Sequence, residues 1–110
     1  MEMNKGYTEL SDIEFIAGSD QYLVFNTELN SSDITNVEWI LKSNSPYNST
    51  ALIQKTLSSG VIILENGAIQ VKLDDSDTSE LKGKYLQYIT IDTASQRYRP
   101  AKGYVIINEY

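Results

Sequence analysis

The densest group of potential ligands in this chain is Asp74, Asp75, Asp77 and Glu80, four carboxylates within one polar stretch. Hard oxygen donors crowded into a flexible loop are the chemistry that Ca²⁺ selects. The spacing departs from an EF-hand loop. Counting from Asp75, Glu80 falls where the loop glycine belongs and Leu86 where the bidentate glutamate belongs. A partial site completed by another loop competes here with a solvated acidic turn, and the turn is the expectation. Paired carboxylates for glycoside hydrolysis must face each other ~5–9.5 Å apart across a cleft. Glu14, Glu28, Glu38 and Glu65 instead fall at outward positions of strand-like segments. A Ser–Lys dyad can be drawn to Lys55, Lys72 or Lys84, but no spacing singles out a pair. The chain has no cysteine and no histidine. Thiol catalysis, thiolate metal sites, disulfides and the commonest general base are all excluded together. The expectation is a protein that is not an enzyme and needs no metal or cofactor.

The formal net charge of −6 repels phosphate backbones, so nucleic acid would require a local basic patch. Arg97, Arg99 and Lys102, with Lys82 and Lys84, are the only candidates and read as solvated turn residues. No run approaches the ~18 apolar residues of a membrane span. The opening Met1-Glu-Met-Asn-Lys-Gly6 lacks the apolar run of a secretion signal. Neither nucleic acid nor membrane is expected as a partner, and synthesis is expected to end in the cytoplasm. At 110 residues, the chain is read as one domain, residues 1–110, large enough for a core without staples.

The elements that must position any site are strands and turns. Residues 8–17 alternate as one strand with Ile13 and Phe15 inward. Residues 21–29 follow, with Leu23 and Phe25 on one face and Tyr22, Val24 and Asn26 on the other. Asp33 offers a cap for a single helical turn. In residues 36–42, Val37, Trp39 and Leu41 share a face. Burial fits that company, and a sugar-stacking platform is the rival role for Trp39. Pro46 keeps residues 43–50 out of a central strand. Segments 51–57 and 61–65 are short strands, and Asn66-Gly67 is a hairpin signal, since a type I′ turn needs positive φ at both positions. It joins 61–65 to 68–73. The turn 93–96 precedes the final strand. Seven or eight strands with regular turn signals predict an all-β, antiparallel sandwich.

Leu81-Lys-Gly83-Lys-Tyr85, opening a long alternating strand, resembles the E–F corner of an immunoglobulin-like β-sandwich. Phe25, Trp39 and Tyr85 follow the core layout of that class. Leu23 or Phe25 and Gln87 stand where its disulfide cysteines would be, and Leu81 replaces the usual acid of the corner. Gly83-x-Tyr85, a strand ending in Asp92, a turn and Gly103-Tyr-Val-Ile-Ile-Asn108 resemble the C-terminal half of immunoglobulin-like modules in tailed-phage virion proteins. The N-terminal domain of phage baseplate upper proteins is the nearest such module. The resemblance implies a structural component of a virion, tail or baseplate, localised to the particle after synthesis in the bacterial host. Baseplate upper proteins continue into helical or coiled segments, so the resemblance implies a stand-alone virion protein or an excised domain.

Strand periodicity supplies the functional clue. With Tyr85, Ile89, Ile91, Val105 and Ile107 inward, Leu86, Tyr88, Tyr104 and Ile106 must point outward, beside Ile40. Five apolar or aromatic residues on an outer face predict a protein–protein interface, with the chain itself as a homo-oligomer or with other virion proteins. Gln87 at an inward position is in conflict with this register, unless it marks a bulge. The alternative function is a carbohydrate-binding module in which Tyr88, Tyr104 or Tyr47 stacks on sugar rings.

Overall fold

A computed structural model describes residues 8–9, 12–27, 29–43, 51–94 and 96–109. Nine strands appear among them: β1 (Thr8–Glu9), β2 (Ile13–Ile16), β3 (Gln21–Asn26), β4 (Ile34–Ser43), β5 (Ala51–Leu57), β6 (Gly60–Ile63), β7 (Ala68–Leu73), β8 (Gly83–Thr93) and β9 (Arg97–Asn108). They hydrogen-bond in the order β1-β9-β8-β4-β5-β6-β7-β3, with β2 also on β9. The sheet folds over on itself where β5 meets β6 through a short parallel contact at Thr56–Gly60 and Leu57–Val61. One layer is thus β2, β9, β8, β4 and β5; the other is β6, β7 and β3.

Alternation sets the core. Val37, Trp39 and Leu41 of β4, Ile89 and Ile91 of β8, and Val105 and Ile107 of β9 are buried against Leu23, Phe25, Val61, Ile69, Val71 and Leu73 of the second layer. Thr35 breaks the alternation. The register with β8 steps from Ile34↔Thr93 to Asn36↔Asp92, leaving Thr35 as the extra residue, and its hydroxyl donates to the Asp92 carbonyl at 3.0 Å. This bulge lets Ile34 and Val37 both face inward.

Two expectations on pairing change. The predicted strand 8–17 is two segments, β1 and β2, both parallel to β9. The sandwich is therefore not wholly antiparallel, because a period-two pattern sets which face is buried but not which neighbour a strand joins. Strand ends also move: β3 stops at Asn26, β6 at Ile63, and β4 begins at Ile34. Asp33 closes a 3₁₀ turn at Ser31–Asp33, its N–H donating to the Asn30 carbonyl, where a cap had been expected. Asn66 and Gly67 have φ of 62° and 77°, as the turn signal requires, but they sit in a 3₁₀ turn, Glu65–Gly67, closed by the Leu64 N–H donating to the Ala68 carbonyl at 2.7 Å.

The acidic stretch folds into one helical turn, α1 (Asp75–Thr78), that the sequence had marked only as a turn. The Asp74 N–H donates to Asp77 Oδ2 at 2.7 Å. Lys55 Nζ on β5 reaches the same oxygen at 2.8 Å, and the two side chains are only 15% and 23% exposed. Burial pushes the Asp77 carboxyl up, but the Lys55 hydrogen bond, the Asp74 amide and the Lys55 charge outweigh it and hold it below the usual carboxylate range. A depressed folded-state value stabilises the fold above the ordinary carboxylate pKa, and that contribution disappears as acid protonates the folded group. Asp77→Asn should therefore cost about 1–2 kcal/mol near neutral pH. Its urea-unfolding curve should converge on the native chain's as the pH is lowered past the ordinary carboxylate range and the folded Asp77 takes up its proton. A constant difference across that range would rule out the ion pair as its cause.

Candidate functional site

The outer face of the β4–β8–β9 layer carries the residues singled out by periodicity. Ile40 is opposite Tyr88, and Leu86 is opposite Tyr104. Ile106 lies opposite Lys84 on β8 and Glu14 on β2. Cross-strand neighbours on one face lie about 5 Å apart at Cβ, so the five form one continuous patch. Tyr104 is 37% exposed, and Ile40, Leu86, Tyr88 and Ile106 are half-buried by their neighbours. At the margin next to Asn108, Ile16 is 51% exposed.

The placement of two cations over these rings is not an expectation of the sequence. Lys84 Nζ sits 4.2 Å from the Tyr104 ring centroid, and Lys42 Nζ lies 5.4 Å from that of Tyr88. Each is at cation–π distance, and each lysine stem covers apolar surface while its charge stays wet. The signal was available in the outward positions of Lys42 and Lys84, which share the alternation of Ile40 and Leu86. The face thus combines apolar side chains with ammonium groups held over aromatic rings.

The other half of the face is polar. Asn36, Glu38, Thr56, Thr90, Asp92 and Arg97 line a depression of about 230 Å³. Arg97 donates from Nε to Asp92 Oδ1 at 2.8 Å and from Nη2 to Oδ2 at 3.4 Å. The Arg97 hydrogen bond holds the Asp92 carboxyl below its ordinary range, against a smaller burial penalty. A general acid for glycoside hydrolysis needs the opposite shift. Gln54 donates to Glu38, which engages the second acid of the depression.

Other candidates resolve as structure. The Trp39 side chain is fully buried, and its indole N–H donates to Gln87 Oε1 at 2.9 Å. Gln87 is itself fully buried, and β8 keeps its register with both neighbours there. Gln87 therefore marks no bulge: it supplies an acceptor to the tryptophan that crosses the core. The Asp74–Glu80 acids are not gathered about one point. Asp77 is taken by Lys55, Asp74 pairs with Lys72 at 3.3 Å, and the Asp75 amide donates to Asp20. Among the described residues, the cations Lys82, Lys84 and Arg97 each have a separate partner. Lys82 is near Glu109, Arg97 holds Asp92 and Lys84 covers Tyr104. Tyr47 and the side chains of Arg99 and Lys102 lie outside the described residues.

The Tyr85 hydroxyl donates to the Lys82 carbonyl at 2.8 Å and accepts from the Lys82 N–H at 3.0 Å. A tyrosine bonded back to the backbone just upstream is the tyrosine corner. Together with two layers pairing as β9-β8-β4-β5 and β6-β7-β3, it defines an immunoglobulin-like β-sandwich. No protein-family model matches the chain, and no curated protein matches its sequence. Among solved structures, the extracellular domain of the voltage-gated sodium channel beta4 subunit, described as a parallel homodimer with a role in cell–cell adhesion, aligns over 91% of this chain and 92% of its own. The identity is 16% and the TM-score 0.44, and the neighbour's role is not carried over.

Proposed function

We propose that the domain is a non-catalytic assembly module whose β4–β8–β9 outer face packs against protein, either another copy of itself or a neighbouring subunit. The observation that carries this reading is the continuous patch of Ile40, Tyr88, Leu86, Tyr104 and Ile106 on one face, with lysines fixed over both tyrosines. Such a face offers apolar contact and two cations suited to carboxylates on the partner. The resemblance of residues 83–108 to phage modules supports a place in a virion, in the tail or baseplate. Modest patches repeated around a symmetric particle add up to stable assembly.

The carbohydrate alternative needs open ring faces, and a lysine already sits over one face of Tyr88 and of Tyr104. Light scattering across a concentration series tests the proposal. Tyr88→Asp and Ile106→Asp should each weaken association by at least about tenfold, with thermal stability little changed. Association that is indifferent to both variants would overturn the reading. A fluorescence response to cell-wall polysaccharide in a chain that stays monomeric would favour the sugar-binding role.

A further inference from the structure

A sheet edge left open to water is a template for another strand, and proteins blunt such edges with charges, bulges or short length. Among the described residues, the two ends of this sheet differ. At one end, on β9, lie β1, of two residues, and β2, of four, which carries Glu14 and follows Asp12. β3, Gln21-Tyr-Leu-Val-Phe-Asn26, runs six residues without a charge, a proline or a register shift against β7. β5, by contrast, carries Lys55, whose side chain pairs with Asp77 of α1.

The ladder tells which backbone groups of β3 are unspent. Thr27 N–H donates to the Gly67 carbonyl at 3.0 Å, one step beyond the Asn26↔Ala68 pair. Antiparallel bonding alternates, so Phe25, Leu23 and Gln21 also exchange bonds with β7, while Asn26, Val24 and Tyr22 direct N–H and C=O away from it. The same residues turn their side chains outward. Tyr22 is 60% exposed and Val24 52%, with Ile62 at 49% on the same layer.

We propose that the β3 edge pairs with the β3 edge of a second copy, antiparallel about a two-fold axis through Leu23. That register sets Tyr22 opposite the partner's Val24 and Val24 opposite the partner's Tyr22. About four backbone hydrogen bonds form between these pairs alone. Aromatic and β-branched residues are favourable cross-strand partners. It also sets Asp20 opposite the partner's Asn26, whose amide can donate to the carboxylate. A shift centred on Val24 would instead oppose Asp20 and Glu28. A second copy is the occupant because this register matches the strand to itself, and β3 has no charged residue of its own to add to the repulsion between two chains of net charge −6. The two-fold consumes the edge on both copies, so pairing closes at a dimer.

Amide hydrogen exchange with sedimentation at several concentrations of the full chain tests this. Tyr22 and Val24 amides should slow at least about tenfold at high concentration, with Leu23 and Phe25 protected throughout as internal controls. Val24→Pro removes an outward donor without touching the β7 ladder, and should abolish the dimer. Val24→Asp, at an exposed position, should do the same if the proline variant fails to fold. The proposal fails if the chain stays monomeric, or if Tyr22 and Val24 exchange at a rate independent of concentration. A dimer lost with Tyr88→Asp but kept with Val24→Pro overturns it and leaves the outer-face proposal standing.

Discussion

Gln87→Glu should cost about 3–4 kcal/mol of folding stability near pH 7 and almost none near pH 4. The two side chains differ by one atom, so packing is unchanged. What changes is that a fully buried position now holds a titratable group. The indole N–H of Trp39 only donates, which requires the carboxamide to turn its oxygen toward it. The amide nitrogen, Nε2, is left without a hydrogen-bond partner. A carboxylate in that place would have one neutral donor and no cation, so its protonated form is favoured in the fold and its pKa is raised. The folded state then binds more protons than the unfolded one. Stability falls as pH rises above the ordinary glutamate value, until the folded group itself ionises. At acid pH the neutral carboxyl still accepts the indole N–H through its carbonyl oxygen. Urea unfolding followed by fluorescence of Trp39, the sole tryptophan, measures both conditions. The Asp77–Lys55 pair responds to acid in both proteins, so it cancels in the difference. A pH-independent cost would mean that water reaches the Gln87 site.

Gln87 also shows where sequence reading stops. The inward faces of β4, β8 and β9 follow from alternation alone, and with them the outward set Ile40, Leu86, Tyr88, Tyr104 and Ile106. A glutamine on an inward face contradicts that alternation unless its partner is known, and the partner, Trp39, is 48 residues away. The pairing of β1 and β2 with β9 was hidden for a similar reason. Hydrophobic period fixes a face, while the neighbour depends on competition among all edges. α1 was invisible because four residues are barely one helical turn, too few for a 3.6-residue period to appear. By contrast, the Tyr85 corner was legible because the glycine and the strand-opening tyrosine stand only two residues apart in the chain.

The largest backbone effect is expected at Gly67. Gly67→Ala should cost about 3–4 kcal/mol, against about 1 kcal/mol for Gly18→Ala. The two glycines have nearly the same φ, 77° and 78°, so the intrinsic penalty for a side chain in the left-handed region is shared. Their surroundings differ. A Cβ at Gly18 meets nothing within 4 Å, whereas one at Gly67 collides with the Leu29 carbonyl oxygen and comes within 2.8 Å of Thr27 Oγ1. Those atoms cannot retreat freely. Thr27 bonds the Gly67 carbonyl through both its N–H, at 3.0 Å, and its hydroxyl, at 2.7 Å. The Gly67 N–H donates to Ser31 Oγ at 2.8 Å, and that hydroxyl donates to the Leu64 carbonyl at 2.6 Å. These bonds fasten the connection from β3 to β4 onto the β6–β7 hairpin. Relieving the collision must stretch several of them, each worth about 1 kcal/mol net. The loss should therefore include the protection of the Thr27 amide against hydrogen exchange, which Gly18→Ala should leave intact. Equal costs for the two substitutions would show that φ alone governs Gly67 and that the Thr27–Ser31 clamp adds nothing.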